Sequence, residues 1–310
     1  MEDMVSEVVK DEDPGADFTA SVQELLSRVK EMFQQVEYNS AVPLLETARE
    51  QAPTDTLVSL LLADAYTFTR GPDDFEEDQG AYDRALALLD EVIEREPDNT
   101  LARLRRAAIY AILAPEEKLL NQQRQILDDA RGGPYEVIAE LELARRYLIC
   151  GMGSQALVLY KKLEESHDWL AGVLHSEQGV ACAISKNFGQ AREHFLTAVA
   201  LTTPEAMAHL QQTSEKLIGE AYWSFWRTVD NLPSRQCQNH AWLAGLYSIT
   251  GIGPEAREHL SQVLKYLQSA ELGSAATVLK RQFVRQMERM FPQLAGEPEV
   301  RALKQEIEEL

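Results

Sequence analysis

The sequence predicts an all-α protein built from repeated pairs of antiparallel helices. A small residue followed three positions later by a larger one, as in Gly179 and Cys182, recurs along the chain. A second spacing follows it: an alanine, a bulky residue four positions on, and a small or aliphatic residue three further, as in Ala191, Phe195 and Ala198. One such helix pair cannot bury its apolar face alone, so the pattern requires stacked neighbours.

Six stretches carry these spacings, and their register is the main evidence for a repeat. They cover about 22–55, 56–99, 100–133, 137–170, 172–205 and 237–270. Tyr247, Gly251 and Ala256 lie 100 positions after Tyr147, Gly151 and Ala156. Matching positions on both helices of a pair are a specific signal, whereas a single match would not be.

Four segments interrupt or flank the repeats. Residues 1–19 are acidic without helical periodicity, which predicts a disordered tail before an array at 20–270. Ser21 is the predicted N-cap of the first helix, and Asn39 the cap that would place Pro43 in a first turn. An acidic insert, 71–80, extends the turn of unit two, and 205–236 leaves the pattern as one long helix or an irregular pair. Residues 271–310 read as capping helices near 274–290 and 298–309.

On these motifs the chain resembles the tetratricopeptide repeat (TPR) family over roughly two-thirds of its length. The resemblance implies a right-handed superhelix, an α-solenoid, whose first helices line a concave groove that binds peptides or partner helices. It also raises the family's carboxylate clamp, in which lysine, asparagine and arginine hold a chaperone's C-terminus. The clamp positions hold Leu26, Lys30, Leu61, Leu101, Arg105, Leu141, Arg145, Ser176, Val180, Ala241 and Gly245. Because the lysine and asparagine positions are not kept, we do not expect carboxylate-clamp binding.

The charge distribution favours protein partners. The net charge is −20. Residues 1–100 hold 25 acidic and 7 basic side chains, so this third carries a net −18 of that total. Such a field repels nucleic-acid phosphates and anionic membranes, and it would steer a basic partner surface toward the N-terminal third. The alternative is that the acidity only keeps an elongated protein in solution.

The remaining composition predicts a cytoplasmic protein without membrane insertion. No apolar run approaches the roughly 18 residues of a membrane helix, and the acidic N-terminus is unlike a secretory signal. Cys150, Cys182 and Cys237 form no disulfide framework. Cys150 and Cys182 fall in first helices, where cysteine is usually a small buried filler.

Residue patterns for catalysis, metals or cofactors are missing. The sequence contains no H-E-x-x-H, G-x-S-x-G, phosphate-binding glycine loop or paired C-x-x-C. His194 and His259 occupy equivalent repeat positions, which indicates a structural or surface role rather than a joint metal site. The acidic insert lacks the ligand spacing of a calcium loop. We therefore predict a non-enzyme with no cofactor and no metal.

Candidate partner-binding residues come from the groove and from one aromatic cluster. The predicted groove mixes apolar residues with isolated arginines: Leu101, Leu104, Arg105, Ala108, Ile138, Leu141, Arg145, Val180, Ile184, Trp242 and Ile249. This suits an amphipathic helix or an extended peptide with some acidic residues, although several of these side chains could instead pack inside the superhelix. In the cluster at 222–226, Trp223 and Trp226 are either core residues or interface anchors.

The selected site residues are thus Leu101, Arg105, Leu141, Arg145, Trp223, Trp226 and Trp242. The predicted function is a non-catalytic scaffold or adaptor that binds a partner peptide or helix in the groove. An assembly or targeting chaperone and a regulatory subunit of an enzyme or transcription complex remain alternatives.

Overall fold

A computed structural model describes residues 21–34, 37–68, 79–113, 118–218, 232–269 and 275–308. The tail at 1–19, most of the acidic insert and the aromatic cluster lie outside these residues. Sixteen α-helices occupy the described ranges, together with a 3-10 helix at Asp168–Leu170. None of these helices is both long and apolar enough to cross a bilayer.

Ten helices form the first five repeat units, each unit being two helices that pack together. They are α1 (Val22–Gln34), α2 (Tyr38–Gln51), α3 (Thr56–Phe68), α4 (Gln79–Arg95), α5 (Thr100–Leu113), α6 (Lys118–Ala130), α7 (Glu136–Ile149), α8 (Gly153–Ser166), α9 (Ala171–Ile184) and α10 (Phe188–Leu201). Each second helix also packs on the first helix of the next unit. This is the continuous stacking that a solenoid requires.

The remaining helices begin with the one that departs from the repeat. They are α11 (Pro204–Ile218), α12 (Leu232–Ile249), α13 (Gly253–Leu267), α14 (Ala275–Met290), α15 (Pro292–Ala295) and α16 (Pro298–Glu308). Helices α12 and α13 form unit six, and α12 packs directly on α10. The stack from unit five to unit six is therefore continuous, although 203–231 lies between them in the chain. Helices α14 to α16 pack on unit six and cover the last apolar surface.

A side-chain cap explains where α1 begins, whereas α2 begins without one. Ser21 and Glu24 form a reciprocal capping box: the Glu24 carboxylate accepts the Ser21 N–H at 2.7 Å, and Ser21 Oγ accepts the Glu24 N–H at 3.4 Å. The predicted N-cap is confirmed. The prediction for Asn39 is wrong, because α2 begins at Tyr38 and Pro43 lies inside it. Tyr38 is the first residue of α2. Its ring packs edge-on against Phe33 near the end of α1, with the two ring centroids 5.1 Å apart.

The turns of units four to six share one hydrogen-bonded form. Gly151 and Gly251 have φ of 72° and 77°, and Lys186 takes the equivalent position at 59°. The next N–H in each case bonds back to a carbonyl five residues earlier, as from Ile252 to Tyr247 at 2.9 Å. This is the Schellman ending of an α-helix, and its left-handed residue is the reason for glycine at two of the three turns.

Small residues let the helices of a unit approach closely. A Cβ on Gly179 would come within 2.8 Å of the Phe195 ring. The three atoms nearest to such a Cβ all belong to Phe195. The glycine therefore makes room for an aromatic ring, which is fully buried between units five and six.

Candidate protein-binding surface

Exposed isoleucines end three successive first helices at the same repeat position. Ile149, Ile184 and Ile249 are the last residues of α7, α9 and α12, each two residues before the left-handed turn residue. Their exposed fractions are 57%, 39% and 44%. The TPR resemblance implies that first helices line the concave side of the superhelix. We call these three residues the isoleucine row. The groove predicted from the sequence included Ile184 and Ile249 but not Ile149. The position of Ile149, 100 residues before Ile249, would have indicated it.

The predicted leucines are interior residues. Leu101 packs in the core of units one and two, and Leu141 in the core of units three to five. Both are buried, as are Leu104 and Ile138 from the same predicted groove. These side chains join neighbouring units and present almost no surface to a partner.

Arg105 is held inside the array by an acidic residue of the previous unit. Its Nε donates to both carboxylate oxygens of Asp64, at 3.0 and 2.9 Å, and both side chains are only 7% exposed. The pair joins α3 to α5. A buried guanidinium needs such a partner, because an uncompensated charge in the interior is costly. The positive charge predicted for the groove is therefore balanced internally at this position.

Arg145 is half-buried between two carboxylates. Its Nε donates to Glu177 at 2.9 Å and its Nη1 to Glu142 at 2.9 Å. The Tyr160 hydroxyl donates to the second Glu177 oxygen at 3.4 Å, and burial, followed by the Glu177 charge, raises the pKa of Tyr160. This network joins α7 to α9. The surface here presents one cation with two anions rather than an isolated arginine.

Trp242 joins unit five to the C-terminal cap. Its indole stacks on Phe195 with centroids 5.4 Å apart and an interplanar angle of 11°. On its other side Phe291 meets it edge-on at 5.6 Å. The ring is only partly buried, so part of it still faces solvent. Trp223 and Trp226 lie outside the described residues. The described site residues are thus spread over α5, α7 and α12 rather than gathered in one patch.

Two equivalent histidine pairs link the helices of units five and six. His175 Nδ1 lies 3.0 Å from His194 Nδ1, and His240 Nδ1 lies 2.8 Å from His259 Nδ1. Both members recur after 65 residues, yet the sequence reading recognised only His194 and His259. In unit five the Glu164 carboxylate accepts a hydrogen bond from His175 Nε2 at 3.1 Å. When His175 is neutral its other ring nitrogen, Nδ1, carries no proton, so His194 Nδ1 donates to it.

The unit six pair is flanked by two tyrosine rings, and the Glu258 carboxylate lies near His259. Tyr266 stacks on His240, and Tyr247 stacks on His259 at 5.3 Å between centroids. Burial, then the neighbouring His259, lowers the pKa of His240 to about 4. Burial also lowers the pKa of His259 and of His194. The unit six pair therefore acts as a neutral hydrogen-bonded contact between α12 and α13.

Side chains for metal or nucleophilic chemistry are not assembled in the described part of the chain. No group of three or more His, Cys, Asp or Glu residues is placed to hold a metal ion there. Burial raises the pKa of Cys182, and that of Cys237 to about 12. A raised thiol pKa disfavours the thiolate needed for nucleophilic attack. Cys150, Cys182 and Cys237 are unpaired.

The stacked helix hairpins and their shared turn decide the fold. It is of the tetratricopeptide-repeat type. A TPR protein from Parabacteroides merdae is similar over 83% of this chain and 98% of its own, at 14% identity and a TM-score of 0.41. A chain in the structure of the APC/C hetero-tetramer Cut9–Hcn1 is similar over 95% of this chain and 57% of its own length, at 14% identity and a TM-score of 0.42.

A third solved structure is a human IFIT1 dimer with PPP-AAAA. It covers 94% of this chain and 73% of its own, at 15% identity and a TM-score of 0.48. Comparison with protein-family models finds no match, and comparison with curated protein sequences finds none. At these identities the likeness concerns the TPR-type fold alone.

Proposed function

We propose that this TPR-type chain is a non-catalytic scaffold that holds a segment of a partner protein against its concave surface. The isoleucine row is the observation that carries the proposal. Three aliphatic side chains, each more than a third exposed, recur at one repeat position of successive units. Exposed aliphatic side chains that recur in this way suit partner segments that present their own apolar face.

The charges near the row define the partner further. Arg145 is already paired with Glu142 and Glu177, so the polar contacts available there include both signs. An amphipathic helix or an extended segment with aliphatic residues toward the row fits this surface. The net −18 of residues 1–100 would in addition steer a basic region of the same partner, and it disfavours nucleic acid as the ligand. The three unpaired cysteines support a reducing, cytoplasmic location.

The test compares two matched triple variants in affinity purification from the native source. The first replaces the row with glutamine: Ile149→Gln, Ile184→Gln and Ile249→Gln. The control applies the same change to exposed aliphatics of second helices, Val158, Leu196 and Leu201, which are 67%, 41% and 38% exposed. Both sets leave the net charge unchanged, and circular dichroism checks that both proteins fold.

We expect one stable partner with the wild type, at least tenfold depleted from the row variant and retained by the control. Removing exposed apolar area that packs against a partner lowers affinity, whereas the same loss outside the interface does not. Equal recovery of the partner by the row variant and the wild type would contradict the concave site. Loss with the control variant alone would place the interface on the second helices.

A further inference from the structure

Helix α11 does not continue the repeat, and it forms one wall of a cleft against units four and five. It follows unit five in the chain but contacts the 3-10 helix between units four and five. Leu210 of α11 is buried in the same core as Leu163 and Leu170. A non-repeat helix is thereby fixed against one edge of the array. Departures from a regular pattern are where functional sites are expected in a repeat fold.

The cleft between α11 and this edge has a volume of about 470 Å³, within the roughly 300–1,000 Å³ of ligand-sized sites. Its walls are the turn before α7 and the first turns of α7, the end of α8 with the 3-10 helix, and α11. We call it the α11 cleft. It lies outside the isoleucine row and shares no lining residue with it.

The apolar part of the α11 cleft centres on one indole. Trp169 is half-buried and meets the His167 ring edge-on, with centroids 6.1 Å apart. Val137 and Leu217 line the same space from α7 and α11. The site therefore offers a broad aromatic face with aliphatic neighbours, which favours a bulky apolar side chain as its occupant.

The acidic side chains of the cleft have hydrogen-bond donors, whereas its lysines remain exposed. Glu140 is buried and accepts from Lys162 Nζ at 2.7 Å, while Glu136 accepts the Gly132 N–H at 2.9 Å. Both carboxylates thus have donors. Lys216, exposed on the α11 wall, forms no ion pair with any residue in the described ranges. Lys162 also remains largely exposed, so the lining offers two accessible ammonium groups beside its two carboxylates.

We propose that the α11 cleft docks an extended partner segment carrying a bulky apolar side chain next to an aspartate or glutamate. The apolar side chain packs on Trp169, and the carboxylate binds between Lys216 and Lys162. The inference takes from the proposed function only the class of ligand, a protein segment. Its location is separate from the concave surface, so each proposal can fail alone.

The experiment selects a phage-displayed library of random nine-residue peptides on the full-length chain. Enriched peptides are synthesised with a fluorescent label, and their affinities are measured by fluorescence anisotropy. The variants are Thr213→Trp, which fills the cleft from α11, and Lys216→Glu, which reverses the charge of the exposed lysine on that wall. Lys265→Glu is the matched control, because Lys265 is an exposed lysine of α13 outside the cleft. Circular dichroism checks the fold of each variant.

We expect peptides that share an apolar–acidic pair, with affinities weakened at least tenfold by Thr213→Trp and by Lys216→Glu but unchanged by Lys265→Glu. Raising the salt concentration should weaken binding to the wild type and leave the residual binding of Lys216→Glu less affected. Peptides that lack an acidic residue, or that bind both cleft variants as well as the wild type, would overturn the proposal. The same holds if no peptide is enriched over a control selection on an unrelated protein.

The isoleucine-row triple variant separates this result from the proposed function. Peptides lost only with that variant bind the concave surface, which supports the scaffold proposal and overturns the cleft proposal. Peptides lost only with the cleft variants support the cleft, whatever the row variant does to the cellular partner.

Discussion

The Phe291 ring occupies the space beside Gly245 that the Cβ of any other residue would need. Gly245 belongs to α12, and Phe291 follows α14, so the contact docks the C-terminal cap on unit six. Trp242, one turn away on α12, meets the other edge of the same ring. The tryptophan predicted as a partner anchor is therefore also part of the packing that closes the array.

Adding a methyl group at Gly245 tests this docking. We expect Gly245→Ala to lower the free energy of unfolding by about 1–3 kcal/mol, because the rigid Phe291 ring must move. Urea denaturation followed by circular dichroism gives the value. Gly189→Ala is the control: Gly189 lies in the first turn of α10 with open space around it, so alanine should be neutral or stabilising. Equal effects at the two glycines would contradict the close packing.

The Asp64–Arg105 pair predicts a strong single-site effect. Arg105→Ala removes the guanidinium that neutralises the buried Asp64 carboxylate, so we expect a loss of about 3–5 kcal/mol in unfolding free energy. The double variant Asp64→Leu/Arg105→Met should recover most of that loss, since it removes both charges and keeps the volume. Chemical denaturation of the three proteins provides the measurement.

Arg103→Ala on the same helix is the comparison for that series. Arg103 pairs with Asp129 at 2.7 Å nearer the surface, so its loss should cost clearly less than that of Arg105. If the two alanine variants were equally unstable, or the double variant were worse than Arg105→Ala, burial of the Asp64–Arg105 charge pair would not be what stabilises this contact.

The histidine pair of unit six predicts acid sensitivity. The folded-state pKa of His240, about 4, lies below its unfolded value of about 6.5. The unfolded chain therefore binds more protons between these values, and stability present above pH 6.5 is lost as the pH falls toward 4. We expect this pair to contribute roughly 2 kcal/mol of that loss. Unfolding free energies at several pH values between 7 and 4 measure the slope.

The variant His240→Gln/His259→Gln isolates this contribution. It removes both imidazoles of unit six while His175 and His194 of unit five remain. We expect a flatter pH dependence than in the wild type, whatever the absolute stability of the variant. Parallel curves for the two proteins would show that other groups, such as carboxylates, account for the acid sensitivity.

The left-handed turn at Lys186 predicts a stabilising substitution. Its φ of 59° carries a steric cost for a residue with a Cβ, and the equivalent Gly151 and Gly251 avoid it. Because glycine also gains freedom in the unfolded chain, we expect Lys186→Gly to stabilise by only about 0.5–1 kcal/mol. Lys161→Gly, in the middle of α8, should instead destabilise by about 1 kcal/mol. A thermal-denaturation series distinguishes the two signs.

Sequence alone determined the features that repeat within one unit or between neighbours. Spacings such as Ala191, Phe195 and Ala198 set the helix pairs, and the capping box at Ser21 set the first helix start. These patterns suffice because each unit of a solenoid contacts only its neighbours, so local periodicity and stacking carry the architecture.

Only the tertiary structure decided which side chains are interior and which face a partner. Asp64 lies 41 positions before Arg105, and Glu177 lies 32 positions after Arg145. His175 and His194 meet across a helix hairpin. Whether such residues touch depends on the twist from one unit to the next, which sums many small packing contacts. The same packing contacts place α11 against the 3-10 helix between units four and five and leave the cleft beside Trp169.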